Sequence, residues 1–599
     1  MTTAKKDWVH PRMRRFKTRV RELLQTTGST DAAVAQASNI GKSTLSKAAD
    51  PDRPDMPAWG LFSHVVTESL KRSTPDLDPE ALAAQLRQWE HEHQRACQAQ
   101  RAPAPSPAVR VMHRAGERLR NPLLATEIIT VLVVVCALAV WAWWPAPPAP
   151  TEPPRCGTGG LSLVQEQCVG LTDTAFPGLD PRVSEIAARI GEQNQQVGDD
   201  YVEIALLGPL TRSDPPGQLD TDQVRQMLIG AAVAQHRANT TTLVGDPLPR
   251  IRLLLANTGS YQDQWQLPVT QIIARAEAAP RRLVAVVVLG TSLALTRDAA
   301  MELSRAEIPM MGAITSADQF NSTDIPGMFR VSPTTSQYVE AMAGHLTANP
   351  GLTQAITMWD TNSEQRGDLY TAALKQAFEQ RFASWIDARP AQGFIGVSIP
   401  TDTARPQMFR DPIVNICHTD AGQSDVQVVL FAGRVADLPE LINAMKDRIC
   451  RNRPLTIMTG AAALTAVERL DPHTLREANL TIVYAGVTNP HTRPHATVAA
   501  PPAYQPYADA VTAQGFPLAE TDAYTCLTHD AVFATALATR MSSAGNDRHL
   551  PQRGNVLIAL NNINSAFHIP GCSGDLTFTD TSHGAPRGTA IELITLPQP

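Results

Sequence analysis

The chain has 599 residues, room for three or four domains at roughly 150 residues each, and 43% apolar against 18% charged residues excludes a wholly disordered or collagen-like polymer. A net charge of -6 hides a division: residues 1–125 carry 20 Lys and Arg against 13 Asp and Glu, the remainder 32 against 45. The front and rear of the molecule are therefore expected to face different surroundings, and the 47 prolines to mark linkers between folded parts.

Residues 12–97 read as helices, because Phe16, Val20, Leu23 and Leu24 share one helical face and ALAAQLRQW at 81–89 repeats the period. His91 and His93 are expected to be exposed on different faces, and not to be metal ligands. The stretch VAQASNIGKSTLSKAAD (34–50) resembles a helix-turn-helix of the repressor-like group, with Val34 and Ala35 in the first helix, Asn39 and Ile40 at the turn, and Lys42 to Ala48 as recognition helix. Asn39 stands where glycine is usual and is the other residue that tolerates a left-handed backbone. Ser38 departs from the group, replacing an apolar core position. The resemblance implies that Lys42, Ser43, Thr44 and Lys47 meet the major groove or phosphates of DNA. Arg12, Arg14, Arg15, Lys17, Arg19 and Arg21 would add a salt-dependent phosphate term. Contact with anionic lipid, or a helical protein-interaction domain, are the alternatives. Gly41-Lys42-Ser43 ends like a phosphate-binding loop, but Gln36 stands where its first glycine must be.

RAPAPSPAV (101–109) and six prolines within 145–154 are semi-rigid spacers. Between them lies the one long apolar run, 125–144, whose 20 residues span about 30 Å at ~1.5 Å per residue and read as a transmembrane helix. Trp141, Trp143 and Trp144 form an interfacial belt and Pro145 a stop. Arg110, Arg114, Arg118 and Arg120 precede the run and only Arg155 follows closely, so the N-terminus is expected in the cytoplasm and the C-terminal part outside. With over 120 residues before it, the run is not expected to be a cleaved signal. Cys156, Cys168, Cys417, Cys450, Cys526 and Cys572 all fall on the outer side. Six cysteines allow 15 pairings; proximity and element order favour Cys156–Cys168, Cys417–Cys450 and Cys526–Cys572. No C-x2-C spacing supports a metal site.

From residue 201 onwards strands and helices alternate. YVEIALLGPL (201–210), RIRLLLANT (250–258), LVAVVVLG (283–290), IPMMGA (308–313), QAITMWD (354–360), VQVVLFAG (426–433), LTIMTG (455–460) and LTIVYAG (480–486) are apolar, β-rich runs separated by amphipathic helices. Such runs imply parallel sheets covered on both faces, and 400 residues imply two lobes. The domain plan is thus 1–100 helical, 101–124 linker, 125–144 membrane helix, 145–155 linker, 156–200 a cysteine-flanked segment with a helix, and 201–599 an α/β domain.

ALLGPLT (205–211), VVVLGTSLALTRDAAMELSRAEIPMMGAITSADQF (286–320) and FRVSPTTSQYVEAMAGHL (329–346) resemble the type I periplasmic solute-binding proteins, in particular the branched-chain amino acid receptor group that serves ABC-type transporters. The resemblance runs from about residue 201 to 596. It implies two α/β lobes joined by hinge strands and closing on a small solute. Ligands in such sheets sit beyond the C-terminal strand ends, where loops and helix N-termini present N–H donors. Gly290, Thr291 and Ser292 follow one strand, although a plain helix cap explains them equally. Thr315 and Ser316 stand where the amino-acid receptors hold a ligand carboxylate. Asp360, Gly433 and Arg434 follow strands of the second lobe. The acidic residue expected beyond LTIMTG is replaced by Ala461, Ala462 and Ala463, and an aromatic-glycine pair by Arg366-Gly367. A buried ammonium without a partner is costly, so an amino acid is disfavoured and an anionic solute expected.

No nucleophile elbow, zinc-protease helix or calcium loop is present in the sequence; neither catalysis nor a cofactor is expected. The combined expectation is a single-pass membrane sensor. Its outer domain captures a small polar or anionic solute and signals to the inner helix-turn-helix-like domain, with homodimerisation as a means of transmission. The alternative is a membrane-tethered substrate-binding component of an ABC-type transport system.

Overall fold

The structure is a computed structural model. It describes residues 11–26, 45, 49–50, 59–73, 78–101, 156, 160–211, 219–243, 248–387, 389–396, 408–418, 425–460, 472–487, 499–543, 550–564 and 566–597. The chain divides into two compact units, Met1–Pro147 and Pro148–Pro599. Lys42, Ser43, Thr44, Lys47, the apolar run 125–144 and Ala461, Ala462 and Ala463 lie outside the described residues. Among the described residues no helix is long and apolar enough to cross a membrane.

The first unit contains α1 (Pro11–Thr26), α2 (Trp59–Ser73) and α3 (Pro79–Arg101). Met13, Phe16, Val20 and Leu24 recur at helical spacing and bury against Phe62, Val65, Val66 and Trp89, with Leu45 and Ala49 in the same core. The Phe16 ring meets Phe62 edge-on at 5.3 Å and His93 at 5.4 Å. His93 is therefore buried, not exposed: Leu86, Trp89, His93 and Ala96 form one stripe of α3. The expected basic cluster on α1 is also reduced. Lys17 is buried, and Arg19 pairs with Glu92 while its guanidinium covers the Trp89 ring at 4.8 Å.

The second unit is α/β. Its first sheet has the order β1-β2-β4-β3-β5-β6-β7, formed by Gly160–Val164, Gln167–Thr172, Tyr201–Gly208 (β3), Arg250–Asn257 (β4), Leu283–Val288 (β5), Met310–Gly312 (β6) and Met328–Arg330 (β7). Strands β3 to β7 are parallel; the hairpin β1–β2 runs antiparallel at the edge. Because side chains alternate along a strand, Ile204 and Leu206 enter one core, with α4 (Pro181–Gln195) and α5 (Thr221–Thr240), whereas Ala205 and Leu207 enter the other, with α6 (Gln266–Ala278) and α7 (Ala294–Arg305).

After β7 the chain crosses into a second lobe through α8 (Thr335–Ala348). There β8 (Ala355–Asp360), β9 (Gln392–Phe394), β10 (Val428–Ala432), β11 (Leu455–Thr459) and β12 (Leu480–Val487) are parallel. One face packs on α8 and α9 (Leu369–Arg381), the other on α10 (Arg410–Cys417), α11 (Leu438–Lys446) and α12 (Pro472–Glu477). The chain then returns to the first lobe as α13 (Tyr504–Ala513), α14 (Ala523–Ser543), α15 (Arg553–Asn561) and the small sheet β13–β15 (Ile569–Gly571, Gly574–Thr577, Arg587–Thr589). It crosses again so that β16 (Ile591–Leu596) lies antiparallel beside β12. Three crossings thus join the lobes. Disulfides Cys156–Cys168 and Cys526–Cys572 close within the first lobe and Cys417–Cys450 within the second.

Candidate functional site

Strand β5 ends in an unusual backbone. Val288, Leu289 and Gly290 have φ of 75°, 67° and 95°, and the Leu289 N–H donates to Val287 O at 3.1 Å, a γ-turn. Left-handed geometry at two side-chain-bearing residues costs about 1–3 kcal/mol each and is characteristic of functional loops. Gly290 is required twice over, by its φ and because a Cβ there would lie 2.5 Å from the Gln262 carboxamide oxygen. That oxygen accepts from Thr291 N at 2.9 Å and from the Thr291 hydroxyl at 3.3 Å. The turn carries Thr291 and Ser292 to the mouth of α7, where Ser292 Oγ accepts from Ala317 N at 3.1 Å.

A cavity opens here between the lobes, with about 560 Å³ of space when its open mouth is counted. The first lobe lines it with Thr291, Ser292, Ile314 and Ser316, and with Ala523, Tyr524 and Leu527 from the start of α14. Ser332, in the crossing after β7, completes that side. The second lobe contributes Tyr338, Tyr370 and Arg434. Most of these positions follow strand ends or lie in the first turns of helices, where the switch points of parallel sheets place ligands.

The lobes touch directly beside the cavity. Ala294 N donates to Gly367 O at 2.8 Å, Tyr370 N to Ser292 O at 3.2 Å, and Leu293 pairs with Asp368 in a single antiparallel bridge. Gly367 has a φ of 65°, and a Cβ there would come within 2.7 Å of the Ala294 methyl. Only glycine permits that approach.

Charge on the second-lobe wall is balanced. Arg434 donates from Nε and Nη2 to the two oxygens of Asp368, each at 2.7 Å, and its guanidinium faces the Tyr370 ring at 5.3 Å. Asp368 is fully buried, caps α9 through Thr371 N at 3.2 Å and also accepts from the Thr371 hydroxyl at 3.1 Å. Burial works against the arginine's charge, but the Asp368 carboxylate outweighs it and holds Arg434 above the ordinary arginine value. Burial pushes the phenols of Tyr338 and Tyr524 up, so both remain neutral donors and acceptors. The Tyr524 hydroxyl is fixed by Gln223 Nε2 at 3.1 Å.

The structure brings Thr291, Ser292, Ser316 and Arg434 to one cavity, with Gly290 directly behind Thr291. Three other expected residues lie elsewhere. Thr315 is buried, its hydroxyl turned toward Gly312, and its carbonyl accepts from Ser332 Oγ at 3.0 Å. Asp360 Oδ1 is occupied by the N–H groups of Asn362 and Gly396, at 2.9 and 2.8 Å. Gly433 is confined by packing, since a Cβ would sit 2.7 Å from the Phe431 ring and 2.8 Å from Phe394. Tyr338, Tyr370, Tyr524, Ser332, Gln262 and Asp368 were not anticipated. Ser332 and Tyr338 stand inside FRVSPTTSQY; Tyr524 is distant in sequence and offers no local signal.

No family model matches the sequence, and no curated protein matches it. Solved structures do. The isoleucine-bound substrate binding protein of a branched-chain amino acid transporter from Streptococcus pneumoniae is 14% identical, covering 66% of this chain and 99% of its own, with a TM-score of 0.46. A leucine binding protein from Thermotoga maritima is 16% identical, with coverage of 66% and 95% and a TM-score of 0.44. A solute binding protein of an ABC transporter from Rhodopseudomonas palustris, solved with 3,4-dihydroxybenzoic acid, is 12% identical, with coverage of 66% and 93% and a TM-score of 0.47.

Proposed function

We propose that the second unit is a solute receptor of the type I periplasmic binding kind, in which two lobes close over one small molecule. The observation that carries this reading is the cavity between the lobes, lined from both sides and bordered by the Ser292–Ala294 and Gly367–Tyr370 backbone bridge. Three crossings allow the lobes to swing while remaining joined, and a solute that touches both walls favours the closed arrangement by its differential affinity. The expectation of an anionic solute is withdrawn for Arg434, because that cation is already neutralised by Asp368.

In the complete chain the receptor is held at the outer face of a membrane by the apolar run 125–144, with the helical first unit in the cytoplasm. Its role is that of a ligand-responsive sensor rather than of a tethered transport component, since delivery of cargo needs no inner domain with its own aromatic core. DNA, through Lys42, Ser43, Thr44 and Lys47, is the proposed inner partner, and a homodimer the means of transmission. Native mass spectrometry of the full chain purified from its cells tests the receptor. A retained small molecule, released on unfolding, is expected; a protein that carries none and binds none in a metabolite extract refutes it. Protease shaving of intact cells tests the placement, and survival of the C-terminal unit would reject it.

A further inference from the structure

The charges around the cavity say more about its occupant than the fold does. Among the described lining residues the one ionic group is Arg434, and it forms a bidentate pair with Asp368 at 2.7 Å. The wall is therefore neutral before any solute arrives. Three first-lobe donors near the cavity are engaged within that lobe: Thr291 N and its hydroxyl by Gln262, and Ala317 N by Ser292. An anion entering here would meet Arg434 together with its counter-charge, and an ammonium would find the Asp368 oxygens already taken. The pair still leaves Arg434 Nη1 without a hydrogen-bond partner among the described residues, a donor at the cavity wall. Around it stand the rings of Tyr338, Tyr370 and Tyr524 and the apolar side chains of Ile314 and Leu527. Aromatic rings stack well on such surfaces.

Building on the receptor reading, we infer that the site selects an uncharged, ring-sized solute bearing a carbonyl-type acceptor, and that the Asp368–Arg434 pair is the determinant that rejects charged congeners. Asp368 sets selectivity by cancelling Arg434, not by touching the solute.

Three near-isosteric probes separate the possibilities: benzamide, benzoate and benzamidine, measured by calorimetry on the full chain in detergent. The wild-type protein is expected to prefer benzamide by about tenfold or more over either ion. Asp368→Asn retains a capping side chain but leaves the arginine unpaired, and its preference should pass to benzoate. Arg434→Gln leaves the carboxylate unpaired, and its preference should pass to benzamidine. Either variant alone suffices if the other does not fold. A wild-type preference for benzoate or benzamidine overturns the inference while leaving the receptor reading intact. An order of preference that is the same in all folded proteins overturns it too, because the pair would then have no part in selection. If no probe binds any of the proteins, the inference fails, while the receptor reading is decided separately by the metabolite extract.

Discussion

The two walls of the cavity are built on different physical terms. The first lobe offers backbone under strain, with Val288 and Leu289 in left-handed geometry and the loop beyond them satisfied by Gln262 and Ser292. The second lobe offers a buried ion pair and two tyrosines, seated on regular helix starts. One wall is shaped by conformation and the other by charge. If the second unit is the receptor proposed above, the contrast predicts that solute shape is read against the first lobe and solute charge against the second.

Perturbing the charged wall should have the largest effect. Arg434→Ala strands the Asp368 carboxylate in a site with no exposure, and breaking such a pair costs about 3–5 kcal/mol; denaturant unfolding followed in the second lobe should show it, and a loss below 1 kcal/mol would mean that the pair is solvated. The junction of the walls comes next. Gly367→Ala forces a side chain into the left-handed region and against Ala294, a penalty of about 1–2 kcal/mol from conformation alone. The conformational part falls on the second lobe itself and should lower its melting, whereas the contact with Ala294 exists only where the lobes meet, so small-angle scattering should also record a larger radius of gyration. The smallest effect belongs to the first lobe. Tyr524→Phe removes the hydroxyl held by Gln223 and is expected to cost about 0.5–1.5 kcal/mol, read as a modest drop in denaturation midpoint. Were Tyr524→Phe to exceed Arg434→Ala, the division of labour between the walls would be wrong.

Much of the fold is legible in the sequence because burial on both faces leaves continuous apolar runs: LVAVVVLG and VQVVLFAG are strands β5 and β10. The site is legible only in part. Thr291, Ser292 and Ser316 follow strands by position, and position suffices to find them. Asp360 and Gly433 obey the same rule yet serve a turn and a packed ring pair, because a residue's placement after a strand does not decide which way it turns. Arg434 shows a further limit. Its charge is visible in the sequence, but its neutralisation by Asp368, 66 positions earlier, belongs to the folded state alone. His93 makes the same point in the first unit, where the stripe of α3 overrides the polarity of the residue.

The last crossing has a consequence for how the molecule is made. The second sheet begins at Ala355, but its edge beside β12 stays open until Ile591–Leu596 arrives. A ribosome must therefore release everything from Ala355 through Leu596 before that sheet is complete. Until then β12 presents unpaired N–H and C=O groups that invite misplaced pairing, so a nascent chain should depend longest on a holding chaperone at this edge of the second lobe.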